Sequence, residues 1–181
     1  MSTWKIDPVH SEIKFKVKHL VVSNVTGQFR KFDAEIESNQ RDFSDARIRV
    51  DIDVNTIDTR NEQRDGHLKS PDFFDAASHT RMTFLSKSVT KKSDNNYIVL
   101  GDLTIRGTTK EVTLDVTYNG SARSFDGSEV VGFEAVGKLN RFDFGLHWNA
   151  ITEAGSIVVG DEVKIEIAAE FVLASEARKA A

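Results

Sequence analysis

The chemistry-bearing side chains of this chain gather in one stretch, Thr56 to Asp75, where Arg64, Asp65 and His67 fall within four positions. A guanidinium, a carboxylate and an imidazole that close can hold an anionic head group, with Arg64 pairing to it and His67 donating to it. They can equally pin a surface segment to the body of the protein by ion pairs and hydrogen bonds. A second grouping, Asp7, His10 and Ser11, has the residue types of a serine hydrolase. It lacks a nucleophile elbow, and neighbours on a strand point to opposite faces. The five histidines, His10, His19, His67, His79 and His147, show no His-Glu-x-x-His or comparable metal-ligand spacing. His10, His19 and His67 could meet only through the fold. His19 otherwise reads as a core residue. No metal or organic cofactor is implied.

Around that stretch apolar residues recur at every second position, the period of half-buried strands. Ile13, Phe15, Val17 and His19 share one face against Lys14, Lys16 and Lys18. Phe32, Ala34 and Ile36, then Ile48, Val50, Ile52 and Val54, repeat the pattern, as do Met82 and Phe84, and Val112, Leu114 and Val116. Val131, Phe133 and Ala135 follow, and Val163 to Leu173 gives the longest alternation. Ile98 and Leu100 make Tyr97–Ile105 apolar on both faces, which predicts an outer cover such as a homodimer partner. Asn119-Gly120 and Asp126-Gly127 read as hairpin turns. Leu20 to Val25 is apolar but aperiodic and Gly27 allows a bend, so a turn or bulge is expected there, and Gly132 and Gly137 read as sites of sharp coiling. Arg141 to Ile151 is a structured loop, with Trp148-Asn149 at the rim opposite the helical stretch or packed within the loop.

Within Thr56–Asp75 the alternation stops. Thr59 and Glu62 have capping-box spacing, and Ser70-Pro71 has the form of a second helix start. The spacing predicts a helix over 60–69 and a single turn over 71–75. A lone helical insert among strands suits the open end of a closed sheet. The fold expected is therefore all-β, an eight-stranded antiparallel barrel with a short helical insert between strands. Residues 1–174 form one domain and 175–181 a tail. Strands of about 10–12 residues tilted by about 40° make a tube roughly 25–30 Å tall. Eight strands leave an interior that side chains fill or that holds one small ligand.

The wall of such a lumen comprises Ile13, Phe15, Val17, Phe32, Ile36, Ile48, Val50, Ile52, Val54, Phe84, Leu114, Val116, Phe133, Ile165, Ile167 and Phe171. Arg64, Asp65, His67, Phe73 and Phe74 form a head-group site or lid. A narrow apolar interior suits an extended hydrocarbon. The same inward residues read identically in a filled barrel.

Composition closes off other classes. The 181-residue chain carries a net charge of −4, so no basic field draws nucleic acid. It has no cysteine, which removes thiol chemistry and Cys-zinc sites. No 18-residue apolar run occurs, and the first twenty residues show no apolar h-region, so the chain as given reads as cytoplasmic, or periplasmic if already processed.

Several segments together resemble one family. Trp4-x-Ile6-Asp7-Pro8-x-His10-Ser11-x-Ile13-x-Phe15-x-Val17-x-His19 is similar to the opening of the YceI-like polyisoprenoid-binding proteins. Gly27-x-Phe29, Arg64-Asp65-x-His67-Leu68 running to Asp72-Phe73-Phe74-Asp75, Gly101-x-Leu103-Thr104-Ile105-x-Gly107, Arg141-x-Asp143-Phe144-Gly145 and Val159-Gly160-Asp161 continue the likeness in order. The resemblance implies a lipocalin-like barrel whose elongated pocket holds a polyisoprenoid or quinone-type lipid without catalysis, often in a dimer. A lipid-head-modifying enzyme using His67, Asp65 or His19, and a ligand-free dimeric stress-response module, are the alternatives.

Overall fold

The computed structural model describes residues 1–174; the tail expected over 175–181 lies outside the described residues. Among the described residues are eleven strands, one α-helix and two short 3-10 helices (Val54–Thr56 and Arg141–Phe144): β1 (Ser2–Ile6), β2 (Glu12–His19), β3 (Ser23–Phe29), β4 (Phe32–Ser38), β5 (Arg47–Asp53), β6 (Ile57–Asp58), α1 (Glu62–Lys69), β7 (Arg81–Lys91), β8 (Asn96–Ile105), β9 (Thr108–Arg123), β10 (Glu129–Asn140) and β11 (Val159–Leu173). The antiparallel ring β1-β4-β5-β7-β8-β9-β10-β11 returns to β1, which gives the closed eight-stranded barrel expected from the alternation.

Closure explains why eleven segments make eight staves. On one edge of β11, β2 pairs along Val159–Ala168 and β1 along Phe171–Leu173. β1 and β2 are therefore one stave interrupted at Asp7–Ser11. β4 and β3 form the next interrupted stave, and β5 with β6 the third. At one end of the barrel β6 pairs with β3 alone among the described residues. The chain between β6 and β7, which contains α1, emerges at that seam, so the helical insert sits at a barrel end as its composition predicts.

Turn chemistry departs from the local signals at Asn119-Gly120 and at Gly27. Asn119-Gly120 makes no hairpin: both residues lie inside β9, where the register against β10 shifts between Gly132 and Phe133. Gly120 takes φ +107 there, and the extra residue is absorbed as a bulge. The turn into β10 is at Asp126-Gly127 instead, with Gly127 N–H donating to Ser124 O. The turn expected in the Leu20–Gly27 stretch is at Leu20–Val22, and Gly27 itself is a strand residue. A Cβ there would come within 2.7 Å of Phe15 Cε1; its use is to let that ring lie across the strand.

The helix begins later than the capping-box spacing suggests. Asn61 is the cap, its Oδ1 accepting from Arg64 N–H at 2.9 Å. Ser70 ends the helix, and turns follow over 71–74, within the stretch where a single turn is expected, with Phe73 N–H and Asp75 N–H both donating to Ser70 O. Ile98 and Leu100 lie half-buried on the outer face, between the buried Tyr97, Val99 and Gly101.

Candidate functional site

The lumen is apolar but not one tube. Two chambers, of about 140 and 110 Å3, lie along it. Ile13, Val50, Phe84, Leu114 and Ile167 border both and form a waist. Phe84, paired with Leu103 of β8, turns its ring over Gly101, two residues along that strand: a Cβ on Gly101 would lie 2.5 Å from Phe84 Cε2 and 2.7 Å from Leu85 O. Glycine there is what lets the ring turn inward across the neighbouring strand.

Phe15, Ile52 and Ile165 border the chamber at the insert end, and Ile36, Ile48, Val116, Phe133 and Phe171 the other. Val17, Phe32 and Val54 border neither. Val17 lies beyond the chamber, paired with Val25 and Val163 at the end of β2, while Phe32 and Val54 pack into the core.

The end away from the insert is stoppered by a residue that periodicity does not mark. Phe43, in the β4–β5 loop, takes φ +59 and is 4% exposed. Its ring meets Trp4, Tyr118 and Phe133 at centroid distances of 5.5, 5.5 and 5.2 Å. The loop is clamped on both sides of it. The Tyr97 hydroxyl donates to Asp42 O, and Lys91 pairs with the Asp42 carboxylate at 2.9 Å. Asp45 accepts from the Ser38 hydroxyl and from Asn39 and Gln40 N–H. Those bonds, the Ser38 hydroxyl first, hold the Asp45 carboxyl down at about 2, and Lys91 and Ser44 do the same for Asp42.

At the insert end the roof is Phe74, Phe144 and Leu146, with Arg141 among the lining. Arg141 is 4% exposed and has no carboxylate partner among the described residues. Its donors go to four carbonyls: Nε to Gly160 O at 2.8 Å, Nη1 to Leu146 O and Trp148 O at 2.7 Å each, and Nη2 to Val159 O at 3.2 Å. Burial pushes its guanidinium below the usual arginine value, and nearby Asp161 opposes this. The ring of Phe142 lies 4.7 Å from the guanidinium carbon and that of Phe73 6.0 Å. One buried cation thus shapes the whole loop between β10 and β11. Arg106 fastens the insert to the same loop, its Nη1 donating to Phe73 O at 3.0 Å and Gly145 O at 3.2 Å.

The polar trio of the insert is used internally. Asp65 Oδ1 accepts from Thr59 N–H at 2.9 Å and from its hydroxyl at 2.6 Å. Arg64 Nε and Nη2 reach Thr59 Oγ1 and O at 2.7 and 2.8 Å. Both side chains therefore latch α1 to the end of β6. His67 contacts Asp72 at 2.8 Å and packs edge-on against Trp148 and Phe73, at centroid distances of 4.6 and 5.1 Å. Trp148 consequently lies at the insert end, packed beneath α1, and not at the opposite rim. Phe73 is 5% exposed in this stack, while Phe74 faces the chamber.

His10, His19 and His67 do not form one cluster. His10 Nδ1 lies 2.8 Å from Asp7 Oδ2 and 3.8 Å from Glu170 Oε1 on the outer surface. The Asp7 hydrogen bond raises its pKa. His19 pairs with Ser23 and Val159 at the end of β2. Ser11 bonds the Glu170 backbone in both directions and is engaged in holding the strand break.

Sequence reading missed Phe43 and the chamber-side role of Arg141. The second had one signal, an arginine directly after the last alternating residues of β10; the first had none. No helix among the described residues is long and apolar enough to cross a membrane.

The YceI-like domain matches residues 4–171 of this chain. A UPF0312 protein of Staphylococcus epidermidis is 41% identical over 172 residues, covering 94% of this chain and 98% of that protein. A UPF0312 protein of Staphylococcus aureus is 42% identical over the same length, with the same coverage. Among solved structures, Campylobacter jejuni YCEI protein superposes with a TM-score of 0.69 at 34% identity, covering 84% of this chain and 88% of that one. Burkholderia cenocepacia BcnA gives 0.79 at 24% identity, covering 91% and 98%. A polyisoprenoid binding domain from Saccharophagus degradans gives 0.68 at 14% identity, covering 94% and 98%, which establishes likeness of fold.

Proposed function

Since the chain belongs to the YceI-like family, we propose that its barrel binds and carries a long-chain isoprenoid amphiphile, a polyprenyl lipid or an isoprenoid quinone, without acting chemically upon it. The observation that carries this reading is the pair of in-line apolar chambers joined at the Phe84 waist. A close-packed core leaves few voids larger than a water molecule. Each is close to the roughly 150 Å3 apolar cavity that stays dry and binds a benzene-sized molecule, so each suits about one five-carbon isoprene unit. Burial is worth about 0.8 kcal/mol per CH2, so a repeating hydrocarbon gains affinity with every unit it threads. The polyisoprenoid binding described for the Saccharophagus degradans domain of the same fold is consistent with this chemistry. A longer chain enters by turning Phe84 aside.

The absence of catalysis is supported by the engagement of the acid–base candidates. Asp65 and Arg64 are consumed by Thr59, and Ser11 by the Glu170 backbone. The polar head is read as lying at the insert end, where Arg141 borders the chamber. The test is native mass spectrometry of gently purified protein together with thermal shifts in geranylgeraniol and in a short-chain quinone. A co-purifying hydrophobic mass, or a saturable rise in Tm with either probe, is expected. No such mass in repeated preparations and no shift with either probe would refute the reading.

A further inference from the structure

The insert end also carries exposed apolar side chains that the lumen does not explain. Val21 and Val22, in the β2–β3 turn, are 66% and 86% exposed, and Ile151 and Ile157, in the β10–β11 loop, are 76% and 52%. These lie together: Leu20 N–H donates to Val158 O at 3.0 Å, and Ile151 and Ile157 form a bridge across the loop. Val21, Ile157 and Phe142 line one hollow with Lys16, Lys18 and Lys164. Val21 holds φ +64, a region that β-branched residues avoid.

We propose that this crown is a docking face for a lipid bilayer, which brings the mouth of the barrel to the membrane in which a long-chain lipid resides. The proposal rests on the lipid-carrying reading. Apolar patches at a rim mark interaction sites, and the charge around this one favours an anionic bilayer surface. Of the two acids on the hollow, Glu162 pairs with Lys138 at 3.8 Å, and Asp161 accepts from Asn140 Nδ2 at 3.3 Å and lies close enough to the buried Arg141 to act on its charge. Lys16 pairs with Glu166, whereas Lys18 and Lys164 have no carboxylate partner among the described residues. Glu153 stands exposed near the loop's tip, so apolar insertion drives docking and the two free lysines set the preference for anionic lipid. The same loop and the first residues of β11 carry the four carbonyls that Arg141 holds over the chamber. The docking face and the chamber roof are therefore parts of one segment.

Flotation of the full chain with phosphatidylcholine vesicles, and with vesicles that also contain phosphatidylglycerol, tests this. Wild-type protein is expected to float with both, more with the anionic vesicles at low salt. Val22→Asp with Ile151→Asp, both on exposed positions, should reduce partitioning by about tenfold or more. Lys18→Glu with Lys164→Glu should abolish the anionic preference and leave partitioning to phosphatidylcholine. Failure of the wild type to float, or equal flotation of the aspartate variant, overturns the proposal. So does self-association of the wild type that the aspartate variant abolishes without any vesicle binding, which would make a second copy the occupant. Geranylgeraniol binding in solution, measured alongside, separates the two readings: if it persists without flotation, only the docking face falls.

Discussion

Replacing Phe84 with alanine tests the partitioned lumen most directly. Phe84 is 7% exposed, belongs to the main core and stands between the two chambers. Removing its ring deletes the contact over Gly101 and merges the two voids into one. Truncation of a buried phenylalanine costs about 3–5 kcal/mol through lost transfer energy and the cavity left behind. For a domain of this size each kcal/mol moves Tm by about 2–4 °C, so the ligand-free variant should melt about 6–20 °C below wild type. The barrel walls do not collapse onto the gap, because the closed hydrogen-bonded ring fixes their separation. The enlarged lumen should therefore bind an isoprenoid more readily, with no waist to displace. Thermal unfolding with and without geranylgeraniol reads both effects. The expected result is a larger ligand-induced rise in Tm for Phe84→Ala than for wild type, recovering part of the loss. A loss of stability with equal or smaller ligand-induced recovery would refute the waist, since Phe84 would then be ordinary core. A negligible loss would refute its packing as well.

Three further outcomes follow from the ends of the barrel. Arg141→Met strands the carbonyls of Leu146, Trp148, Val159 and Gly160, and should cost upwards of about 3 kcal/mol in denaturant unfolding. Arg141→Lys should restore little, since an ammonium has three donors and no planar fork. Thr59→Val removes the hydroxyl that Asp65 and Arg64 share and leaves only their bonds to the Thr59 backbone, and hydrogen exchange should accelerate across residues 59–69 while the β8–β9 pairing stays protected. The carboxyl of Asp45 is held at about 2, below its ordinary 3.8. The stability it contributes is therefore present above the ordinary carboxylate range and is lost as pH falls towards 2. Asp45→Asn should lower Tm at neutral pH and leave a shallower decline in Tm over that acid window. An unchanged acid profile would mean that the loop clamp contributes nothing.

How much of this was legible beforehand depends on whether the deciding interactions are local. The period-two alternation of Ile13, Phe15 and Val17, of Ile48, Val50 and Ile52, and of Val163 to Leu173 identified strands and their inward faces, because successive strand side chains alternate regardless of partner. The break in that pattern at Thr56–Asp75 located the helical insert, and the insert's lack of alternation placed it at an end. Residue types alone did not say whether Arg64 and Asp65 face a ligand or a fastening; Thr59, folded back beneath the helix, decided that. Asn119-Gly120 carried the right local signal for a hairpin, but β9 continued through it as a bulge because the adjacent β10 pairs on both sides of one extra residue there.

Beyond that point only closure of the sheet could decide. Phe43 became the stopper because ring closure set Trp4, Tyr118 and Phe133 around one loop, from three distant parts of the chain. Arg141 became the keystone of the roof because residues 146–160 bend back to offer it four carbonyls. The lumen divided in two because Gly101, diagonal to Phe84 on the adjacent strand, leaves room for that ring to lie across the strand. Local sequence determined which residues turn inward, since that depends on the backbone period alone. Whether they meet one another or leave space between them depends on the volumes facing each other across the barrel, and those are set only when the ring closes.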